Sequence, residues 1–485
     1  MMRKMILTFP IIFLLVLIAV MLWQEHSQKS LQVYTPVRKL LELPEHAPQH
    51  LSRAIRQVTI SYENGDPEEI NTSVFNDFHQ LLKAMYPLVH EHLEVETVRN
   101  LSLIYKWTGR NPAEQPVLLL AHMDVVPVED SESWMHPPFS GKIETEFIWG
   151  RGTLDNKGSL IGILEAAEQL LKEGFTPERS VYFAFGHDEE IGGQNGAGAI
   201  ARQFKDQGIH FEYSLDEGGS VAEGIVPGMN SAVALIGIAE KGRLALELSV
   251  RTTGGHSSMP PEENSIAILS RAVNTLQHNP FPARISETVH AFLDHIGPEQ
   301  SLFNRIAIAN RWLFTPLILR QYSQSPAGNA TVRTTSAPTI IRAGVQDNVV
   351  PEEATAIIDF RLLPDTTKDE VIERVNNVID DERVHIRPWG TFTPSSPVSS
   401  YESEGFSKIR DLARDHFDSI AVAPFLVIGG TDSRHYREVT QDTYRFLPVL
   451  LDGDDLNRIH GSDERISLHN FRTMISFYYH FLKAH

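Results

Sequence analysis

The chain contains no cysteine. That removes disulfides, thiolate nucleophiles and sulfur ligands, so any metal site must use His, Asp and Glu. Cationic charge is also short: 43 Lys and Arg face 62 Asp and Glu, for a formal net charge of −19. The imbalance excludes charge-driven binding to nucleic acid or anionic membrane surfaces. Glycine-rich phosphate cradles are missing. The loop Gly150-Arg151-Gly152-Thr153-Leu154-Asp155-Asn156-Lys157-Gly158 lacks the P-loop order, and Gly193, Gly196 and Gly198 form no dinucleotide fingerprint. No serine sits in a nucleophile elbow; Gly254-Gly255-His256-Ser257-Ser258 reads as a polar turn. Internal repeats and long low-complexity tracts are absent. What remains is ordinary globular sequence, 42% hydrophobic and 22% charged over 485 residues, enough for two or three compact units.

One long apolar run stands apart. Residues 5–23 carry no charge, and Arg3 and Lys4 precede them. About 19 residues at roughly 1.5 Å each reach across a bilayer core, and the basic flank places the N-terminus in the cytoplasm. No small-x-small cleavage site follows. The expectation is a transmembrane helix acting as a signal anchor (1–24), then a polar stalk (25–49). The rest would lie outside the cytoplasm, periplasmic or extracellular.

From about residue 50, strand and helix signals alternate. Apolar runs at 101–107, 117–120 and 181–185 alternate with helical spacing from Ser73 onward and at 159–171 and 193–204. This predicts an α/β domain with a mixed, largely parallel sheet. Near Gly242 the texture changes to strict alternation (Leu244, Leu246, Leu248, Val250), the mark of a sheet with one exposed face. The reading is one domain in two parts, 50–240 and 394–485, interrupted by a smaller α+β domain at 241–393. Residues 281–336 are extra length within that insertion and carry Trp312-Leu313-Phe314-Thr315-Pro316-Leu317-Ile318-Leu319. They are expected to form an added helix packing on the lid, or an apolar wall for an acyl chain or large side chain.

Chemistry-bearing residues follow the strands. His122 and Asp124 lie just past an apolar run; Glu189 and Glu190 follow residues 181–185 and Gly186; Asp216 follows a short strand. Parallel sheets place their chemistry at these carboxyl ends. By local pattern alone Asp155 is a helix N-cap, and the Glu-Glu pair a solvated loop. His460 sits in a late polar loop.

Taken together, His122-x-Asp124, Gly152-x-x-Asp155, Glu189-Glu190, Asp216 and His460-Gly461 resemble, in order, the di-zinc aminoacylase/carboxypeptidase family. Gly254-Gly255-His256-Ser257 resembles its lid signature. Asp347-Asn348-Val349-Val350-Pro351 and Gly429-Gly430-Thr431-Asp432-Ser433-Arg434 point to the carboxypeptidase S and N-fatty-acyl-amino-acid hydrolase branch. The resemblance implies a zinc-peptidase-like catalytic domain with an inserted lid and dimerisation domain. It implies two Zn2+ ions, with cobalt or manganese as substitutes, held by His122, Asp155, Glu190, Asp216 and His460. Asp155 would bridge, Asp124 would orient His122, and Glu189 would be the general base for a zinc-bound hydroxide. It also implies a cis peptide after Asp155. His256 would reach a neighbouring subunit's site, making the protein a homodimer. Asn348, Arg361 and Thr431 would contact a small-molecule substrate, a peptide or N-acyl amino acid, through an amide bond next to a free carboxylate. Two alternatives stand beside hydrolysis: a catalytically inactive binding or receptor protein on the same fold, and reversible N-acyl amino acid synthesis.

Overall fold

Three short buried runs organise the chain, and each becomes a strand because apolar side chains must be covered on both faces. The computed structural model describes residues 2–38, 40–62 and 71–485, with side chains from Ile11 onward. After a first helix, α1 (Met2–Ser27), strands β1 (Glu94–Val98), β2 (Ser102–Trp107) and β3 (Val117–His122) lead to α2 (Lys157–Lys172). Next come β4 (Val181–Gly186), α3 (Ala197–Asp206), β5 (Phe211–Asp216), β6 (Val221–Ala222) and β7 (Val233–Glu240).

The inserted region starts with β8 (Gly242–Arg251) and α4 (Ser265–His278). Four helices follow: α5 (Glu287–Ile296), α6 (Leu302–Ala309), α7 (Arg311–Tyr322) and α8 (Pro326–Val332). It ends with β9 (Thr335–Ala343), β10 (Glu353–Leu362), α9 (Lys368–Ile379) and β11 (Val384–Thr393). The chain then returns through α10 (Glu404–His416), β12 (Ala421–Val427), β13 (Thr440–Arg445), β14 (Leu450–Leu451) and α11 (Leu468–Lys483).

The main sheet has ten strands, in the order β1-β2-β4-β3-β5-β13-β7-β6-β14, with β12 beside β7. Its centre, β4-β3-β5-β13, is parallel, and antiparallel pairings flank it. Leu119, Phe183 and Leu215 face the helices α2, α10 and α11 in one core; Leu118, Leu120 and Ala184 meet α3 in another. The lid sheet is antiparallel, β9-β10-β8-β11. Its alternating Leu244, Leu246, Leu248 and Val250 pack under α4 and α9, as the period-two pattern demands.

Three expectations change. The first concerns 5–23. It lies within the helix α1, but no helix among the described residues is long and apolar enough to cross a membrane. The side chains of its first part, up to residue 10, lie outside the described residues. The transmembrane reading is therefore not supported. Instead, the end of α1 docks on the insertion: Asn310 Nδ2 donates to Met21 O at 3.1 Å, Trp312 Nε1 to Gln24 Oε1 at 3.1 Å, and Glu25 pairs with Arg305.

The second concerns the stalk, which is a strap laid on the body. Gln32 donates through Nε2 to Val422 O at 3.0 Å and to His295 O at 2.9 Å, and accepts from Val422 N at 2.8 Å. Further along, Arg472 Nε donates to Leu41 O at 2.6 Å. The third concerns the extra length at 281–336. Its helices pack on the catalytic sheet rather than on the lid. Val289, Phe292 and Leu293 of α5 share a core with Val233, Ala421 and Ala423, and the Phe292 and Phe425 rings lie 6.2 Å apart.

Candidate metal centre

The carboxyl ends of β4, β3 and β5 lie side by side, so the residues that follow them converge. His122 is the last residue of β3 and is fully buried. Its Nδ1 faces Asp124 O at 3.0 Å and Asp124 Oδ1 at 3.3 Å, which places the ring hydrogen there. Nε2 therefore presents a lone pair to Asp155 Oδ1 at 2.9 Å and Glu217 Oε1 at 3.1 Å. His460 repeats the arrangement: Nε2 lies 3.0 Å from Asp155 Oδ2 and 3.2 Å from Glu190 Oε2. Asp155 thus turns one oxygen to each histidine, as a bridging carboxylate does.

A lone pair aimed at carboxylate oxygens is repulsive unless a proton or a metal cation lies between them. Burial disfavours charge on His122, yet Glu217, Asp124 and Asp155 together hold its pKa well above the usual value. Hydrogen bonding to Asp155 and Glu190 raises His460 to about 10. The carboxylates report the same crowding. Burial, then the neighbouring Asp155, lifts Glu217 to about 8 and Glu190 to about 7. Glu190 Oε1 is buried with no hydrogen-bond partner. Two overlapping donor sets emerge, His122-Asp155-Glu190 and His122-Glu189-Glu217, with ligand atoms in each set within 4.8 Å of one another. Imidazole and carboxylate donors with one shared carboxylate fit two divalent cations.

The surroundings are built to hold this set. Asp124 accepts from the amides of Glu189 (3.2 Å) and Glu190 (3.1 Å) and from the Ser61 hydroxyl. One carboxylate thereby fixes both His122 and the turn carrying the two glutamates. Glu189 is half-buried, and Arg434 Nη2 lies 3.9 Å from its Oε1. Burial pushes its pKa well above the usual range; Asp432, Glu217 and Glu190 add to this, while His122 opposes it. The neighbours His187 and Asp188 serve the loop, bonding Ser102 and the amides of Asn195 and Gly196. The Asp155–Asn156 peptide is cis. The N-cap of α2 is Asn156, not Asp155, whose carboxylate is taken by the histidines.

The largest difference from expectation is Asp216. Its Oδ1 accepts from Glu217 N at 2.9 Å and its Oδ2 from Ser433 N at 2.8 Å. The structure brings the next residue, Glu217, to His122 in its place. Sequence reading also passes over Glu464. Buried, it accepts from Gly152 N (3.0 Å), Leu154 N (2.9 Å) and Arg151 Nη1 (2.8 Å), while Arg151 Nη2 donates to His460 O at 3.1 Å. Arg151 and Glu464 thus clamp the Asp155 loop to the His460 loop.

The expected substrate residues lie elsewhere. Thr431 is buried, with N and Oγ1 at 3.0 and 3.2 Å from Glu240 Oε2. Arg361, on β10, donates to Asp359 Oδ2 at 3.0 Å. His256 and Asn348 sit exposed at a short two-stranded ribbon of the lid, where Ser257 N donates to Asn348 O at 3.1 Å. Contacts of the central cluster do not reach His256 or Asn348 among the described residues.

A parallel-sheet crevice with two histidines sharing one carboxylate defines a metallohydrolase centre. The chain belongs to peptidase family M20/M25/M40, whose model matches residues 118–484. It is a metallo-amidohydrolase of the carboxypeptidase or aminoacylase type, in a family that includes dinuclear metal-binding peptidases. It is 43% identical to the probable carboxypeptidase S-like 2 of Dictyostelium discoideum over 437 residues, 90% of this chain and 84% of that one. It is 40% identical to the N-fatty-acyl-amino acid synthase/hydrolase PM20D1 of Xenopus tropicalis over 489 residues, 96% of this chain and 92% of that one. The fold is shared with the M20 metallo-carboxypeptidase Sso-CP2 of Sulfolobus solfataricus, with a TM-score of 0.66 at 20% identity, covering 91% of this chain and 99% of that one.

Proposed function

We propose that this chain hydrolyses an amide bond next to a free carboxylate, either the C-terminal bond of a peptide or the bond of an N-acyl amino acid. The observation that carries the reading is Asp155 set between His122 and His460, at 2.9 and 3.0 Å, with Glu189 beside them. Asp155, His122 and Glu217 would hold one zinc ion, and Asp155, His460 and Glu190 the other. When bound, such ions polarise a carbonyl and lower the pKa of water toward about 7.

The protein's own residues do the rest. Glu189 takes a proton from the attacking water and delivers it to the departing amine nitrogen. Asp124 holds the Glu189 amide and His122 in register. Arg434, beside Glu189, and Arg361, on the lid, are the cationic groups proposed to meet the substrate carboxylate. The relatives' names include both synthase and hydrolase, and one centre catalyses both directions of one equilibrium, so acyl transfer to a free amino acid belongs to the same proposal.

Glu189→Gln is the direct test. Catalysis by a positioned base is worth roughly 10²–10⁴-fold, so kcat should fall by about that factor while metal content and Tm stay unchanged. Undiminished turnover in the purified variant would remove Glu189 from the mechanism. The lid role of His256 in a second subunit's site is likewise a proposal. It is supported by the exposed Ile340 and Ile341 on edge strand β9. Light scattering should give a dimer mass, and an active monomer would exclude that role.

A further inference from the structure

Outside the centre, the described residues hold one further group of histidines and a carboxylate whose ligand atoms lie within 4.8 Å of one another: His46, His50 and Glu165. It sits where the strap ends. The sequence His46-Ala47-Pro48-Gln49-His50 opens the helix Ala47–Ile55, and a spacing of four residues stacks both rings on one helix face. Their centroids are 4.8 Å apart. Beneath them lies Glu165, in the third turn of α2, with its side chain only 2% exposed.

Glu165 turns one oxygen to each histidine. His50 Nδ1 is 2.6 Å from Oε1, and His46 Nε2 is 3.4 Å from Oε2. Tyr86 OH donates to Oε1 at 2.9 Å and fixes the carboxylate from the other side. The neighbouring acid, Glu168, accepts instead from the amides of Leu88 and Val89, at 3.3 and 2.9 Å. No Lys or Arg forms an ion pair with Glu165 among the described residues. Neutral rings would leave a buried carboxylate uncancelled, which is costly. Protonating both rings would set two positive charges side by side. One divalent ion supplies that charge once and takes a lone pair from each ring. Two imidazoles and a carboxylate suit zinc, with the fourth place open to water on the half-exposed His46 side.

We propose that His46, His50 and Glu165 bind a further divalent cation, zinc by donor type, apart from the pair at the centre. Zinc would replace the His50–Glu165 hydrogen bond with a bond from each residue to the ion. Its work is mechanical. The far end of the same helix is already held by Lys157, whose buried Nζ donates to Ala54 O at 3.2 Å and Gln57 O at 2.5 Å. Lys157 is the first residue of α2, two positions after Asp155. An ion at Glu165 fastens the near end to α2 as well, so the strap, this helix and the loop bearing Asp155 are tied together. The proposal does not rest on the amide-hydrolase reading.

The test uses the untagged full chain, stripped of metal and titrated with zinc alone. Wild type should take up one equivalent more than either His50→Gln or His46→Gln, and its Tm should rise as that equivalent binds, with no such rise in the variants. Turnover should be the same in all three chains, since neither histidine meets the central cluster. Cobalt in place of zinc should give wild type a visible band of a tetrahedral ion that both variants lack. Being nearer to solvent, this ion should leave first under brief chelation, with the ions of the buried centre remaining. His46 is half-exposed, and His46→Gln keeps the contacts of Glu165 with His50 and Tyr86, so that variant should fold even if His50→Gln does not. Equal zinc uptake by wild type and His46→Gln, with the same Tm response, would overturn the site and leave the cluster an ion pair of histidine with Glu165.

Discussion

Asp216 and Glu217 are adjacent, both acidic and both buried or nearly so, yet the structure gives them different work. Asp216 ends β5 and spends both oxygens on backbone amides, those of Glu217 and Ser433. That joins the end of β5 to the turn after β12. Glu217, beyond the last paired residue, is free of strand alternation and swings to His122. Composition and spacing could not separate them, because the decision depends on where the strand stops. The expected result is a split. Glu217→Gln should lower bound metal from two equivalents toward one and reduce activity by at least about 10²-fold, more than the loss seen for partners one step removed from a metal. Asp216→Asn should keep both metals and cost about 1–3 kcal/mol of stability, the usual range for a charged hydrogen-bond acceptor. Elemental analysis beside denaturant melts decides it; metal loss confined to Asp216→Asn would reverse the two roles.

At the level of elements, the catalytic strands were legible, because buried parallel strands announce themselves as short apolar runs ending on polar loops; their order in the sheet was not. The lid strand β8 was legible from its alternation. Two elements were misread for related physical reasons. Residues 28–46 have no periodicity, so nothing in their pattern reveals that they bond along a surface; that information lies in Gln32, a single amide matched to an edge strand. The insertion helices are apolar on the face that meets β12, but a helix face does not name its partner. Both errors concern which surface an element lies against. The strap can be tested at Gln32, which bonds Val422 N, Val422 O and His295 O. Gln32→Ala leaves these buried groups unsatisfied, and about 1–3 kcal/mol should be lost. Faster proteolysis within 28–46 should accompany it. Unchanged stability and protease resistance would mean that the strap rests on the body without holding it.

For the whole molecule, one contribution to acid sensitivity lies away from the candidate metal centre, where α10 and α11 meet. His416 is buried there. Its Nδ1 lies 2.7 Å from Leu412 O, and its Nε2 is shared between Ser476 Oγ at 3.2 Å and His480 Nδ1 at 3.1 Å. Both ring nitrogens are engaged in the neutral form. Burial above all, with His480 and Arg38 adding to it, lowers its pKa from 6.5 to about 4, and the carbonyl of Leu412 only partly offsets this. His485, against Tyr213, is lowered in the same way to about 3. A depressed histidine binds fewer protons folded than unfolded between these values, so stability rises with pH in that window. The stabilisation is whole above pH 6.5 and is lost as pH falls through 4. For His416 alone the loss approaches about 3 kcal/mol, since each tenfold drop in proton affinity is worth roughly 1.4 kcal/mol. Chemical denaturation from pH 7 to 4 should therefore show falling stability. His416→Gln, neutral at every pH, should flatten that slope while lowering stability at pH 7. If the variant keeps the full wild-type slope between pH 6.5 and 4, acid sensitivity resides elsewhere, and the α10–α11 face is not where protons enter the fold.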